Sequence, residues 1–454
     1  MRLLGKGRVR TDRARLGVVQ AVEVRYAERD GKCLAFEVFG DGPCDVLVQQ
    51  VCYPIDLTWD LPQLASFMQT LGSFARVIAF DSRGEGASDP ISDPGAATLE
   101  GWCDDVLAVL DAAGADRVTC FDMTVGVGGV VLAATYPDRV RSLIVTHLRT
   151  SVPETRNMSP SELNAAARAY LGVESLEALN PRVAHDPVLR DWWGRAHRLL
   201  LSPEAARDYF EWSTRMDVGP VVSSVRVPTL VLHRRDNHIY DIETSRAMAR
   251  QIPQARFVEL PGSETDAFLG DTAPLLAEIR EFLAESDGDV ANDRPLATVL
   301  FTDIVTSTEQ LVARGDEAWR QFLDDHDRTM SRIVTHFRGR VVKQLGDGLL
   351  ATFDGPARAV RCAAALREAA SKQGVTIRAG LHTGEIELRA ADVTGIAVVI
   401  AQRISALAAP TEIVVSRTVV DLTAGSGLDF EPRGEYELKG VPGVWPTFAV
   451  QVNT

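Results

Sequence analysis

Two carboxylates and a run of hydroxyls set the chemistry open to this chain. Asp303 stands in Phe301-Thr302-Asp303-Ile304-Val305-Thr306-Ser307-Thr308, and Asp347 in Lys343-Gln344-Leu345-Gly346-Asp347-Gly348. Carboxylate oxygens are hard ligands suited to Mg²⁺ or Mn²⁺. Free N–H groups at a helix start favour anions, and the Thr306, Ser307 and Thr308 hydroxyls add donors for phosphate oxygens. The pattern predicts a site for divalent metal and polyphosphate.

The elements that must hold these residues are legible in the surrounding pattern. Ala297 to Phe301 reads as a buried strand, followed by a helix pattern from Thr308 to Phe337. Val341 to Leu345 and Leu349 to Phe353 read as two strands folded on a Gly-Asp-Gly turn. A further helix pattern covers Ala357 to Ser371, with more strand text beyond it. The order β-α-β-β-α-β predicts a ferredoxin-like core. In such a core a central strand and the neighbouring hairpin can bring Asp303 and Asp347 together.

Residues 295–454 resemble the catalytic domain of class III nucleotidyl cyclases. Besides the two acidic segments, the resemblance is carried by Gly380-Leu381-His382-Thr383-Gly384-Glu385, Ala401-Gln402-Arg403 and Glu437-Leu438-Lys439-Gly440. It implies a phosphorus–oxygen lyase in which the ribose 3′-hydroxyl of ATP attacks the α-phosphorus, giving 3′,5′-cyclic AMP and pyrophosphate. Two ions of Mg²⁺ or Mn²⁺ would be held by Asp303, Asp347 and the Ile304 carbonyl. Thr306, Ser307 and Thr308, with Val305 before them, would hold phosphate oxygens. Lys343 would read adenine N1, and Arg403 would meet the charge of the transition state. The family shares each site between two chains, so a homodimer is implied. Counting back from Arg403, Ile396 stands where the family has an Asp for the adenine amino group, and Val399 where it has an Asn for ribose. A slow adenylyl cyclase is therefore expected. No acid suited to guanine is evident beside Lys343, which favours ATP over GTP.

Upstream, strands alternate with amphipathic helices from residue 21 to 284, predicting a largely parallel sheet covered on both faces. Strands are expected at Asp45 to Gln49, Arg76 to Phe80, Arg117 to Phe121, Arg141 to Thr146, Thr229 to His233 and Arg256 to Leu260. Helices are expected at Leu99 to Ala113 and Ile242 to Gln251, and a helical, Trp-bearing cap between Thr150 and Val218. The segments Phe80-Asp81-Ser82-Arg83-Gly84-Glu85-Gly86-Ala87-Ser88-Asp89, Ala133 to Val140 and Pro228 to His233 resemble the α/β-hydrolase fold. The nucleophile turn of that fold, G-x-S-x-G, reads here as Asp122-Met123-Thr124-Val125-Gly126. Thr124, or Met123 in the neighbouring register, replaces serine. Asp236 fills the acid position, and Thr265 stands where the family has its histidine. A hydroxyl cannot take a proton near neutral pH as imidazole can. Gln49-Gln50-Val51 replaces the oxyanion segment. Asp122 as a carboxylate nucleophile with His238 near Asp236 is a conceivable rescue. The preferred reading is a non-catalytic, regulatory domain that takes a small-molecule ligand.

The chain has 454 residues and a net charge of −14, which suits two domains and argues against nucleic acid as the main partner. No apolar run reaches the length of a membrane span. Residues 1–20 carry Arg2, Lys6, Arg8, Arg10, Arg13 and Arg15 without an apolar core, so a disordered basic leader is expected and a secretory signal is not. Six cysteines without C-x-x-C suit a reducing cytoplasm. Residues 285–294 read as a linker. The two-domain arrangement is similar to a group of bacterial, notably mycobacterial and actinobacterial, cyclases. Two other classes of function remain open at this point. One is a catalytically silent nucleotide-binding sensor or scaffold, the other an esterase carrying a regulatory cyclase domain.

Overall fold

The computed structural model describes residues 22–49, 53–91, 98–123, 127–150, 158–286, 294–389 and 392–451. The basic leader, most of the expected linker, Thr124, Gly126 and Gln50-Val51 lie outside them.

Eight strands build the first sheet: β1 (Arg25–Arg29), β2 (Lys32–Phe39), β3 (Asp45–Gln49), β4 (Arg76–Phe80), β5 (Val118–Asp122), β6 (Val140–Thr146), β7 (Thr229–Arg234) and β8 (Ala255–Leu260). Their order is β1-β2-β4-β3-β5-β6-β7-β8, parallel from β4 onward with β1 and β2 antiparallel. Strands such as β5 and β7 are buried along their whole length because helices cover both faces. Those helices are α1 (Pro62–Gly72), α2 (Leu99–Ala113) and α3 (Val127–Thr135). A cap of α4 (Pro160–Tyr170), α5 (Glu174–Leu179), α6 (Pro187–Leu200) and α7 (Pro203–Arg215) follows β6, and α8 (Ile242–Ala249) and α9 (Ala273–Glu285) complete the layer. This is the α/β-hydrolase fold with a helical cap.

The second sheet holds β9 (Leu296–Ile304), β10 (Arg340–Gln344), β11 (Gly348–Phe353), β12 (Ile377–Glu385), β15 (Ile413–Ser416), β16 (Asp429–Glu437) and β17 (Val444–Gln451), while β13 (Glu387–Arg389) and β14 (Asp392–Thr394) form a separate ribbon. The order β10-β11-β9-β12 is antiparallel throughout, the ferredoxin-like core, and β15, β17 and β16 extend it. Helices α10 (Ser307–Arg314), α11 (Asp316–His336), α12 (Pro356–Lys372), α13 (Ile396–Leu407) and α14 (Arg417–Leu422) pack on it. The single helix expected from Thr308 to Phe337 is two. Gly315, at φ 80°, breaks it by adopting a backbone that side-chain-bearing residues rarely take.

The two sheets share a core. Leu296 and Leu422 are buried in one apolar cluster with Leu99, Cys103, Val127 and Val131 of the first unit. Among the described residues no helix is long and apolar enough to cross a membrane. Cys44, Cys103, Cys120 and Cys362 are buried free thiols, and Cys33 is an exposed one.

Candidate active site

Asp303 lies within β9, one residue from its end, so its backbone is fixed by ladder pairs to both neighbours. Gly348 faces it on β11 and Arg378 faces it on β12. Asp347 sits in the turn before β11, which closes through the Leu345 amide on the Gly348 carbonyl at 2.7 Å, with Gly346 at φ 84°. Sheet register thus places the two acids side by side, although the expected strand stopped short of Asp303. Asp303, Ile304, Val305, Thr306, Ser307, Thr308, Glu309, Asp347 and Arg378 line one open cleft of ≈ 440 Å³.

Helix α10 starts at the floor of this cleft. Thr306 takes a left-handed backbone, φ 58° and ψ 34°, and no side chain caps the helix, whose first-turn residues line the cleft. Of the four residues expected to hold phosphate, Val305 has its amide committed to the Thr376 carbonyl at 2.8 Å. Arg378 is a functional candidate that the sequence reading missed. Its Nε and Nη2 donate to Asp303 Oδ2 at 3.1 and 2.7 Å. The signal was its place opposite Asp303, visible only once the register is known.

The donor set tests whether metal fits. Among the described residues no three His, Cys, Asp or Glu side chains cluster closely enough to cage an ion. The cleft instead offers two carboxylates and the Ile304 carbonyl. Mg²⁺ is commonly held by one or two carboxylates, with water and substrate phosphate filling the remaining positions, so hard-ion binding fits.

Lys343 and Arg403 are not brought into that cleft. Lys343 sits on the edge strand β10, and its ammonium meets Asp392 of β14 at 2.9 and 2.8 Å. An acid thus does stand beside Lys343, where none suited to guanine was evident in the sequence. The count back from Arg403 pointed to Ile396, which instead begins α13 and is 53% exposed. Val399 is half-buried on α13 against the cluster of Ile400, Ile404 and Leu438, and Arg403 Nε donates to the Lys439 carbonyl at 3.2 Å.

In the first unit the expected triad has no working base. Thr265 is buried, its Oγ1 donating to the Leu179 carbonyl at 2.8 Å and accepting from Asn237 at 3.1 Å. His238 directs Nε2 at the Ala178 carbonyl at 2.8 Å, and Asp236 is exposed. Asp122 and Met123 are buried at the end of β5.

Residues 291–452 match the family model described as the adenylate and guanylate cyclase catalytic domain. The C-terminal unit matches the nucleotidyl cyclase family over this span. A Rhizobium meliloti relative named "Putative adenylate cyclase 3" is 30% identical over 158 residues, covering 33% of this chain. The chain spans 27% of that relative's length. On the other side, "Putative carbamate hydrolase RutD" of Caulobacter sp. is 26% identical over 206 residues, 41% of this chain and 73% of the relative. Among solved structures, the adenylyl cyclase CyaB from P. aeruginosa aligns with 36% of this chain and 98% of its own at 21% identity, with a TM-score of 0.35.

Proposed function

We propose that the chain is a metal-dependent adenylyl cyclase, converting ATP to 3′,5′-cyclic AMP and pyrophosphate, with the first domain acting on its rate. The observation that carries this reading is the cleft that joins Asp303 and Asp347 to the uncapped start of α10. Divalent ions bound there would acidify the ribose 3′-hydroxyl and offset triphosphate charge. Asp303, Asp347 and the Ile304 carbonyl are the residues that would hold them. The α10 amides and the Thr306, Ser307 and Thr308 hydroxyls orient the phosphates in line, and Arg378 adds a fixed cation at the cleft wall.

The separation of Lys343 and Arg403 from this cleft supports a two-fold dimer in which one chain supplies the metal and phosphate groups and its partner supplies the base reader and Arg403. Adenine presents an amino donor beside the N1 acceptor, which the Lys343 ammonium and Asp392 carboxylate complement. Guanine presents the same pair of roles in reversed order, so ATP and GTP are run side by side in the test.

A silent nucleotide-binding scaffold is the second reading, and apolar Val399 in the ribose position favours it. The deciding experiment is cyclic nucleotide formation by the purified chain with Mn²⁺ or Mg²⁺, beside Asp303→Ala. Metal-dependent product lost in the variant supports the cyclase. A folded chain that binds ATP without product supports the scaffold.

A further inference from the structure

Glu100, on α2 of the first unit, caps a helix of the second. Its Oε2 accepts from the Ala357 and Arg358 amides at 3.0 and 3.2 Å, the first turn of α12. The helix has no cap of its own, because its N-cap residue is Gly355. A Cβ at Gly355 would lie 1.9 Å from the Glu100 carboxyl carbon, so glycine is what allows the approach. Arg358 Nε meets Glu100 at 3.0 Å, and its Nη2 meets Asp104 at 2.6 Å. Asp104 also takes Arg338 at 3.3 Å and Arg29 at 2.8 Å. Tyr136, next after α3, donates its hydroxyl to Asp354 at 3.0 Å, and Asp354 pairs with Arg358. A second contact joins Arg226 of the first unit to Glu385 at the end of β12. Glu100, Asp104 and Arg358 are largely buried, where ion pairs hold a geometry firmly and removal of one partner is costly, whereas Arg338 and Asp354 are exposed.

The register shows where this contact leads. Strands β11, β9 and β12 lie side by side. At one end Phe353 faces Thr298, and Leu296 faces Glu385, next to the first unit. At the other end Gly348 and Arg378 both face Asp303, in the cleft. At about 3.3 Å per residue, the seven steps of β9 from Leu296 to Asp303 span roughly 23 Å between the two. Helix α3, in turn, begins at Val127, just after the residues in which the hydrolase-like sequence places its nucleophile, and it leads into Tyr136. Tyr136, directly after α3, thus meets the second unit at Asp354, and β9 runs from that side of the sheet to the acids in the cleft.

We propose that Glu100 and Asp104 form an interdomain clamp on the β11–α12 corner, through which the first unit sets the placement of Asp303 and Asp347. The proposal rests on the cyclase reading of that cleft. A ligand that moves α2 or α3 would loosen or tighten the clamp, and the cleft would follow without any contact between the ligand and the nucleotide.

The test is amide hydrogen exchange on the full chain, comparing wild type with Glu100→Gln and with Tyr136→Phe. Glutamine keeps the size and one acceptor oxygen but drops the charge facing Arg358. The Ala357 and Arg358 amides are expected to exchange about tenfold faster in Glu100→Gln. The decisive readout is the Asp347 turn, which touches neither substitution and is expected to exchange at least about threefold faster. Faster exchange at α12 with an unaltered turn overturns the clamp, as does unaltered exchange at both. If Glu100→Gln fails to fold, Tyr136→Phe, which removes a single hydroxyl, gives the same two readouts. Product formation separates this failure from that of the cyclase reading. A coupled turn in a chain without turnover leaves the clamp standing and sinks the cyclase. Turnover with an uncoupled turn does the reverse.

Discussion

Asp392 holds the Lys343 ammonium with both carboxylate oxygens, at 2.9 and 2.8 Å. Each group fixes the other, so the pair presents a donor and an acceptor at a set spacing. Asp392→Asn keeps the shape and releases the lysine. The expected outcome is a fall in the ATP-over-GTP ratio of kcat/KM of about tenfold, since the adenine amino group loses a charge-assisted partner. A ratio unchanged in side-by-side assays would leave base choice to other groups.

Arg378 occupies an Asp303 oxygen that a metal ion would also use. Arg378→Ala is expected to lower the metal concentration needed for half-maximal binding, read by calorimetry with Mn²⁺ alone. The same substitution removes a cation from the phosphate cleft and should raise the KM for ATP by about tenfold or more. Opposite signs for metal and nucleotide distinguish this role from general damage to the cleft.

Val399 presents no hydrogen-bonding atom on α13. Val399→Asn is expected to raise kcat by about an order of magnitude by orienting ribose, with KM little altered. A drop in both thermal stability and kcat would instead assign the valine to the packing of Ile400 and Leu438.

Shared sites make a quantitative prediction about mixtures. Asp303→Ala and Arg403→Ala are each expected to be inactive alone. Mixed in equal amounts and allowed to exchange, half the dimers carry one intact site, giving roughly a quarter of wild-type turnover. Absence of recovery, with subunit exchange verified by light scattering and labelled chains, would place the whole site in one chain.

The first unit carries a pH signature of its own. Burial pushes the Glu37 carboxyl up to about 7 from an ordinary 4.5, and the Asp81 carboxyl up to about 6 from 3.8. Their folded-state values exceed the unfolded ones, so their contribution to stability is complete below the ordinary values and is lost as pH rises through about 6–7. For Glu37 the loss amounts to about 3 kcal/mol at most. Glu37→Gln keeps an acceptor for the Trp59 indole, which meets Glu37 at 3.1 Å. Its Tm should exceed that of wild type near pH 8, with the gain vanishing near pH 5. Buried His197, drawn down to about 4, works the other way, losing stability as pH falls from 6.5 toward that value.

Much of the fold is written in short-range pattern. Helix α2 falls on the span its amphipathic spacing predicts, and β3 and β4 match the apolar runs read as strands. What the pattern could not carry is register and distance along the chain. Arg378 acquires meaning only when β12 is laid against β9, opposite Asp303. Asp392 was missed because a fixed offset from Arg403 pointed to Ile396, whereas a two-stranded ribbon, β13 and β14, brings the acid to Lys343. The break in the helix after α10 was a local signal overlooked, since Gly315 stood in plain view. The Glu100 cap on α12 was beyond reach, because Ala357 and Arg358 lie 257 and 258 positions from Glu100 in sequence.

Gly355 turns the domain contact into something that can be read from text alone. Its backbone, φ −143° and ψ 130°, is open to any residue, and the atoms nearest to a side chain placed there are all of the Glu100 side chain. In an excised cyclase domain the veto disappears, and alanine or a capping serine becomes acceptable. A saturation library selected in the full chain should retain glycine at this one position, while the same library in the excised domain should drift. Where a cyclase sequence carries a larger residue at the corresponding place, its lineage has not kept this neighbour in this pose.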